Sequence, residues 1–258
     1  MPRIHLFEFE DLKWFPSSLR DYMTDFLQFI SNKFDVYKPI VPVIEEGLEK
    51  SNTNTIIDLA SGGGGGLLKL NAHLLEKNPE LKVILTDYYP NVEAFRSTKT
   101  KADNMEYIAT SIDALRVPES LKGLRTQFLS LHHFRPKEAQ QILQNAVDSQ
   151  SAIAVFEAQE RNLKSFIFML LSPINVLFST PFIKPFKTGR IIFTYLIPIV
   201  PLLVCWDGIV SVLRTYSIKE MNDLIDGLSN KDTFEWQVGK VKSGPGAIIY
   251  LLGYKKNN

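Results

Sequence analysis

The chain has one cysteine, Cys205, in 258 residues. No internal disulfide can form, and the composition suits a reducing compartment. A surplus of charge of one sign is also missing: 29 Lys and Arg against 28 Asp and Glu leave a formal net charge of +1. That balance lacks the basic excess of a nucleic-acid binder. Four histidines and one cysteine show no metal-ligand spacing, so no metal is expected. Residues Met1 to Asp11 carry acids where a signal peptide needs an unbroken apolar stretch, which gives the expectation of a cytoplasmic protein. Repeats and low-complexity tracts are absent, apart from one run of glycines. What the chain does have is 45% hydrophobic residues, enough for one large domain or a domain with a cap.

The glycine run organises the rest. Thr55 to Leu59 is apolar and β-branched, and reads as a buried strand with Asp58 near its end. Gly62 to Gly66 follow, then Leu67, Leu68, Leu70, Leu74 and Leu75 at helical spacing. Glycines let the backbone turn tightly and approach a ligand. A helix start beyond them offers free N–H groups to an anion. A dinucleotide fingerprint would carry a third glycine on the helix, where this chain has Leu67. Asp58-x-Ala60-x-Gly62-x-Gly64 resembles instead the first motif of class I S-adenosylmethionine-dependent methyltransferases, with Ala60 in place of the first glycine. An acid before the loop suits a ligand carrying an ammonium beside its carboxylate. The plain alternative is a glycine loop that only turns the chain.

Before the loop, Leu19, Tyr22, Met23, Phe26, Leu27, Ile30 and Phe34 make one helical face opened by Pro16, with Ser18 and Asp21 as a capping pair. A short helix is expected over Pro42 to Glu49. The aromatic face is either ordinary core or a cap over a ligand, and the two readings can coexist. After the loop, Leu81 to Asp87 reads as a second strand, Asn91 to Thr98 as a helix, and Met105 to Thr110 as a third strand. Thr126 to Phe134 reads as a fourth strand running into His132 and His133, followed by a helix started by Pro136. Ser151 to Glu157 is a fifth, ending in an acid.

The resemblance extends along this order. It implies that Asp58, Ala60, Ser61, Gly62 and Gly64 hold the methionine end of S-adenosyl-L-methionine. It implies that Asp87 meets the ribose and Asp113 the adenine, with Tyr88, Ile112 and Ser130 also binding the cofactor. Leu131-His132-His133-Phe134 before a proline-started helix is similar to the fourth motif of small-molecule and lipid methyltransferases, which places Ser130, His132, His133 and Glu157 toward the acceptor. Either histidine can accept a proton near neutral pH; equally, one can bond the backbone and the other pack. Glu157 either orients substrate or accepts a proton, or caps the next helix.

Ser165 to Ile183 and Ile191 to Trp206 carry no charge, and Lys184 to Arg190 between them is basic. Pro173, Pro181, Pro198 and Pro201 interrupt the apolar stretches. These prolines argue against continuous spanning helices of roughly 20 residues, with true spanning left as the alternative. An apolar helical lid, touching a membrane surface through its basic tip, fits the pattern. Asp207-Gly208 ends the apolar run. Ser217 with Glu220 is a capping box, and Phe234 to Val241 and Ala247 to Tyr254 form a hairpin. The expected fold is α/β: a Rossmann-like, seven-stranded sheet with its last strand antiparallel, N-terminal helices over 1–54, and an apolar insert over 161–214 within a domain of 55–258. The implied activity is methyl transfer to a small, hydrophobic or lipid-like acceptor. The alternatives are a non-catalytic cofactor-binding protein of the same fold and a membrane-associated interaction protein.

Overall fold

The computed structural model describes residues 1–256. Seven strands form one sheet: β1 (Thr55–Leu59), β2 (Lys82–Leu85), β3 (Met105–Tyr107), β4 (Leu124–Phe128), β5 (Ile153–Glu157), β6 (Phe234–Ser243) and β7 (Gly246–Lys255). Their order across the sheet is β3-β2-β1-β4-β5-β7-β6. The first five are parallel, and β7 enters antiparallel beside β5 with β6 at the edge. Among the described residues ten α-helices accompany the sheet, together with short helical turns: α1 (Ser17–Lys33), α2 (Val41–Lys50), α3 (Leu68–Lys77), α4 (Val92–Lys99), α5 (Pro136–Asp148), α6 (Leu163–Leu170), α7 (Ser172–Ser179), α8 (Thr188–Ile191), α9 (Ile199–Arg214) and α10 (Ile218–Asp226).

Alternation along the strands builds a core on each face of the sheet. Ile56, Ala154 and Phe156 pack with Ile44 of α2 and with Leu70 and Leu74 of α3. Ile57, Ile153 and Val155 pack on the other face with Ile142, Leu143, Leu224 and Ile225 of α5 and α10. Both faces of β5 are buried, so its sequence is a continuous apolar run. The chain leaves β1 toward β2 on one side and pairs β4 on the other. The carboxyl ends of β1 and β4 therefore flank the crevice where open α/β sheets bind ligands.

Several boundaries differ from the sequence reading. The Ser18–Asp21 capping pair does not form, because α1 starts two residues earlier, at Ser17 with Pro16 as its N-cap, and both serines lie inside its first turn. β2 and β3 are shorter than expected and stop before Asp87 and Ile108. β4 stops at Phe128; Leu129 takes a left-handed φ of 48°, and His132 and His133 sit on a separate helical turn. The helix α9 continues past Asp207-Gly208, where the apolar run ends, through to Arg214. Gly208 survives mid-helix because a Cβ there would lie 2.9 Å from Met169 Sδ, where α6 crosses α9.

A third core joins the N-terminal helix to the insert. Phe15, Met23 and Phe26 pack against Val176, Ile183, Val200 and Val204. Asp25 of α1 pairs with Lys187 and Arg190 of the insert. By contrast, α2 belongs to the sheet core. Residues 1–14, which show no sequence period, run as an extended strap along α9. Ile4 N donates to Leu213 O, Trp206 Nε1 donates to Phe7 O, and Asp207 accepts from Phe9 N and Glu10 N at 2.8 and 3.2 Å.

Candidate active site

The loop after β1 owes its shape to three left-handed residues: Ala60, Gly62 and Gly64, at φ 56°, 56° and 68°. Ala60 thus occupies a position that glycine takes without steric cost. A Cβ on Gly62 would meet nothing within 4 Å, so this glycine faces open space. Gly63 and Gly65 instead lie under Gln28 of α1, whose amide crowds both positions. Asn32 of α1 donates to Gly65 O and accepts from Lys69 N at 2.8 Å each, so the start of α3 is not fully free for an anion. The aromatic face of α1 packs with the insert, and its polar side roofs the glycine loop.

Asp58 is buried, and its Oδ1 accepts from Thr126 Oγ1 at 2.8 Å. Burial pushes its carboxyl up to about 7; hydroxyl donors partly offset this, and the nearby charge of Asp87 adds to it. Ser61 donates from Oγ to Asp58 O. Asp87 binds the loop directly: its Oδ2 accepts from Gly62 N at 2.9 Å and its Oδ1 from Tyr89 N at 2.8 Å. Ile112 N donates to Asp87 O, and Ser111 Oγ to Tyr88 O. Asp113 caps the turn of residues 114–116 through Leu115 N. One half-exposed edge therefore carries Ser61, Gly62, Asp87, Ile112 and Asp113 together, with Tyr88 exposed beside them.

Glu157 is fully buried at the carboxyl end of β5. It does not cap a helix. Its Oε1 accepts from His132 N at 3.0 Å, and its Oε2 lies 2.8 Å from His132 Nδ1. A carboxylate accepts, so Nδ1 is the donor in this bond and Nε2 is the ring nitrogen that Glu157 does not engage. Nε2 is buried with no hydrogen-bond partner and stands 3.8 Å from Glu8 Oε1. Ser130 Oγ, close by in sequence, is also buried without a partner. His133 takes a different role. Its Nδ1 bonds Asp11 Oδ1 at 2.8 Å, and Glu8 and Glu10 stand within 4 Å of the ring. Burial alone would lower this imidazole, but the Asp11 bond and the three acids outweigh it and push it up to about 10. His133 is therefore a held cation, not a free proton acceptor.

Neither a family model nor a curated protein matches the chain by sequence. Solved structures do match. A plantazolicin methyltransferase in complex with SAH superposes with a TM-score of 0.54 at 12% identity, over 93% of this chain and 88% of that one. An O-methyltransferase family 2 protein from Planctomyces limnophilus, in complex with apigenin, gives 0.56 at 14%, over 93% and 61%. The fold is that of the class I methyltransferases. Human N-acetylserotonin methyltransferase in complex with SAM gives 0.52 at 13%, over 93% and 57%. The chain spans about six tenths of the length of the last two proteins.

Within this methyltransferase fold, several residues near the crevice carry no motif and were missed by sequence reasoning. Tyr37 is buried against Phe128, ring centroids 5.1 Å apart, and the charges of Glu157 and Asp58 reach its hydroxyl. Burial, with those charges, pushes Tyr37 well above the usual tyrosine range. Glu8 has no exposed surface, and neither carboxylate oxygen has a hydrogen-bond partner; Arg214 Nη1 stands 3.2 Å from Oε1. Arg214 also pairs with Asp11 at 2.7 Å. These groups come from the strap and from the end of α9, which are far apart in sequence. The only signal available was the density of acids in Glu8-Phe9-Glu10-Asp11.

Proposed function

We propose that this chain is an S-adenosylmethionine-dependent methyltransferase acting on a hydroxyl of a small apolar or lipid-like acceptor. The observation that carries the reading is the buried His132–Glu157 pair at the carboxyl end of β5, with Nε2 unpartnered. The cofactor, when bound, supplies an activated methyl group on a sulfonium. The residues present fit it: Gly62 faces open space, Ser130 Oγ lacks a partner, and Asp58 and Asp87 lie on either side of the loop. Asp58 would hold the ammonium end, Asp87 with Tyr88 the ribose, and Ile112 with Asp113 the adenine.

The chain's own contribution is positioning and one proton. Holding reactants in line contributes on the order of 7–11 kcal/mol in favourable cases. His132 Nε2 takes the acceptor hydroxyl proton, and Glu157 fixes the ring and stabilises the imidazolium that results. His133, already cationic, anchors the strap through Asp11. The strap closes over Nε2 with Glu8, so residues 4–12 move to admit an acceptor. Entry beside α9 supports an apolar acceptor, because that helix joins the insert to the histidine turn. In this reading the outer face of the insert rests on a membrane surface, and the protein works from the cytoplasmic side.

The test is transfer of labelled methyl from S-adenosylmethionine to apolar hydroxyl acceptors. His132→Gln should lower kcat by about 10²–10⁴ while leaving cofactor affinity unchanged, the range a positioned proton acceptor supplies. Equal kcat in the folded variant would remove His132 from the reaction. Cofactor binding without turnover on any acceptor class would favour the non-catalytic alternative.

A further inference from the structure

The outer face of the insert is the least explained surface of the molecule. Leu163, Ile167, Leu170, Ile174 and Phe178 are exposed and spaced by three or four residues along α6 and α7, so they form one stripe. On the opposite side, Val176 of α7 packs in the core with α1, and Met169 of α6 lies against Gly208 of α9. The end of α7 and its connection to α9 add further exposed apolar side chains, with Phe178 at 76%, Phe182 at 69%, Phe186 at 64% and Leu196 at 77%. An apolar patch this continuous marks an interaction site.

Charge identifies the partner. From Arg161 to Trp206 the chain has no Asp or Glu and five cations. Arg161, Lys187 and Arg190 pair with acids elsewhere in the fold. Lys164 and Lys184 are exposed and, among the described residues, form no ion pair. Lys184 lies between Phe182 and Phe186. A two-fold dimer through this face would set the patch against itself, cation facing cation with no acid to answer. An anionic bilayer surface complements both the charge and the apolar stripe. Among the described residues no single helix is long and apolar enough to cross a membrane, and the two apolar helix pairs are bent by 43° and 81°. Bent, one-sided helices lie in the interface rather than span it.

We infer that the α6–α9 face docks peripherally on anionic lipid bilayers, with Phe178, Phe182, Phe186 and Leu196 inserted and Lys164 and Lys184 at the headgroups. This deepens the reading of the insert given above but requires no methyl transfer. The experiment is co-sedimentation of the full chain, without cofactor, on phosphatidylcholine vesicles with and without phosphatidylserine. Binding should require phosphatidylserine and weaken with salt. Lys184→Gln should weaken it roughly fivefold, the worth of one cation at such a surface. Phe178→Ser with Leu196→Ser should abolish it; all three positions are exposed, so the fold is spared. Failure of the unaltered chain to sediment, or equal sedimentation of the double variant, would overturn the proposal. So would a dimer by light scattering that Leu196→Ser dissociates. None of these outcomes touches cofactor titration, so the methyltransferase reading fails or stands separately.

Discussion

Replacing Asp58 with Asn should stabilise the empty protein and weaken its cofactor site. Asp58 is 2% exposed and keeps one side-chain donor, Thr126 Oγ1 at 2.8 Å. Its carboxyl sits near 7 in the fold against 3.8 in the free side chain. The unfolded chain therefore loses its proton first as pH rises, and stability falls between about 4 and 7. The roughly three-unit difference corresponds to about 4 kcal/mol, fully felt above pH 7 and absent below pH 4. Asparagine carries no charge at any pH and can still accept from Thr126. The assay is urea unfolding of both proteins from pH 4 to 9. The gain for Asp58→Asn should be small at pH 4 and reach a few kcal/mol at pH 8. Asp207, also pushed up to about 7 by burial, adds a slope of the same sign to both proteins, and the difference between them cancels it. On the binding side, a ligand ammonium favours the ionised carboxylate, so affinity should rise with pH toward 7 in the wild type and stay flat in the variant. Parallel stability profiles, or equal affinity in both proteins, would refute the argument.

Ala60→Gly should raise stability by roughly 1 kcal/mol, because an L-residue pays a steric penalty at φ 56° that glycine does not; thermal unfolding checks this, and lower stability would mean the loop is unstrained. Glu157→Gln should depress kcat with little change in KM and shift the pH–rate profile, since it orients the His132 ring by the 2.8 Å bond; an unchanged profile would leave Glu157 a structural group. His133 sits near 10 in the fold against 6.5 when free, so its contribution to stability is complete below pH 6.5 and is lost as pH climbs toward 10. His133→Gln should flatten stability across that window, and proteolysis of residues 1–14 should become faster at neutral pH. Equal cleavage in both proteins would detach His133 from strap docking.

Strands β1 and β5 were legible in the sequence because strands buried on both faces run mostly apolar, whereas β4 was read two residues late, since its buried Arg125, Thr126 and Gln127 are polar. The glycine loop was legible because such a turn needs left-handed residues; the bond from Gly62 N to Asp87, past the end of β2, was not. The strap was not legible. Glu8, Glu10 and Asp11 act through His132, His133, Asp207 and Arg214, more than a hundred residues away, and no local period encodes such contacts. The two histidines looked equivalent in sequence. They differ because one faces Glu157 at the end of β5 and the other faces the strap. The insert's helices were readable from their apolar content, but their packing on α1 was not, since Asp25 meets Lys187 and Arg190 only in three dimensions.

The most direct test of the central claim is a calorimetric titration of the purified chain with S-adenosylhomocysteine, repeated on Asp87→Ala. The glycine-loop edge predicts saturable binding of one ligand per chain, weakened in the variant by about 1.5–3 kcal/mol for a lost charged hydrogen bond. No binding to the wild type, or equal binding to a folded Asp87→Ala protein, would contradict the assignment of this edge as the cofactor site.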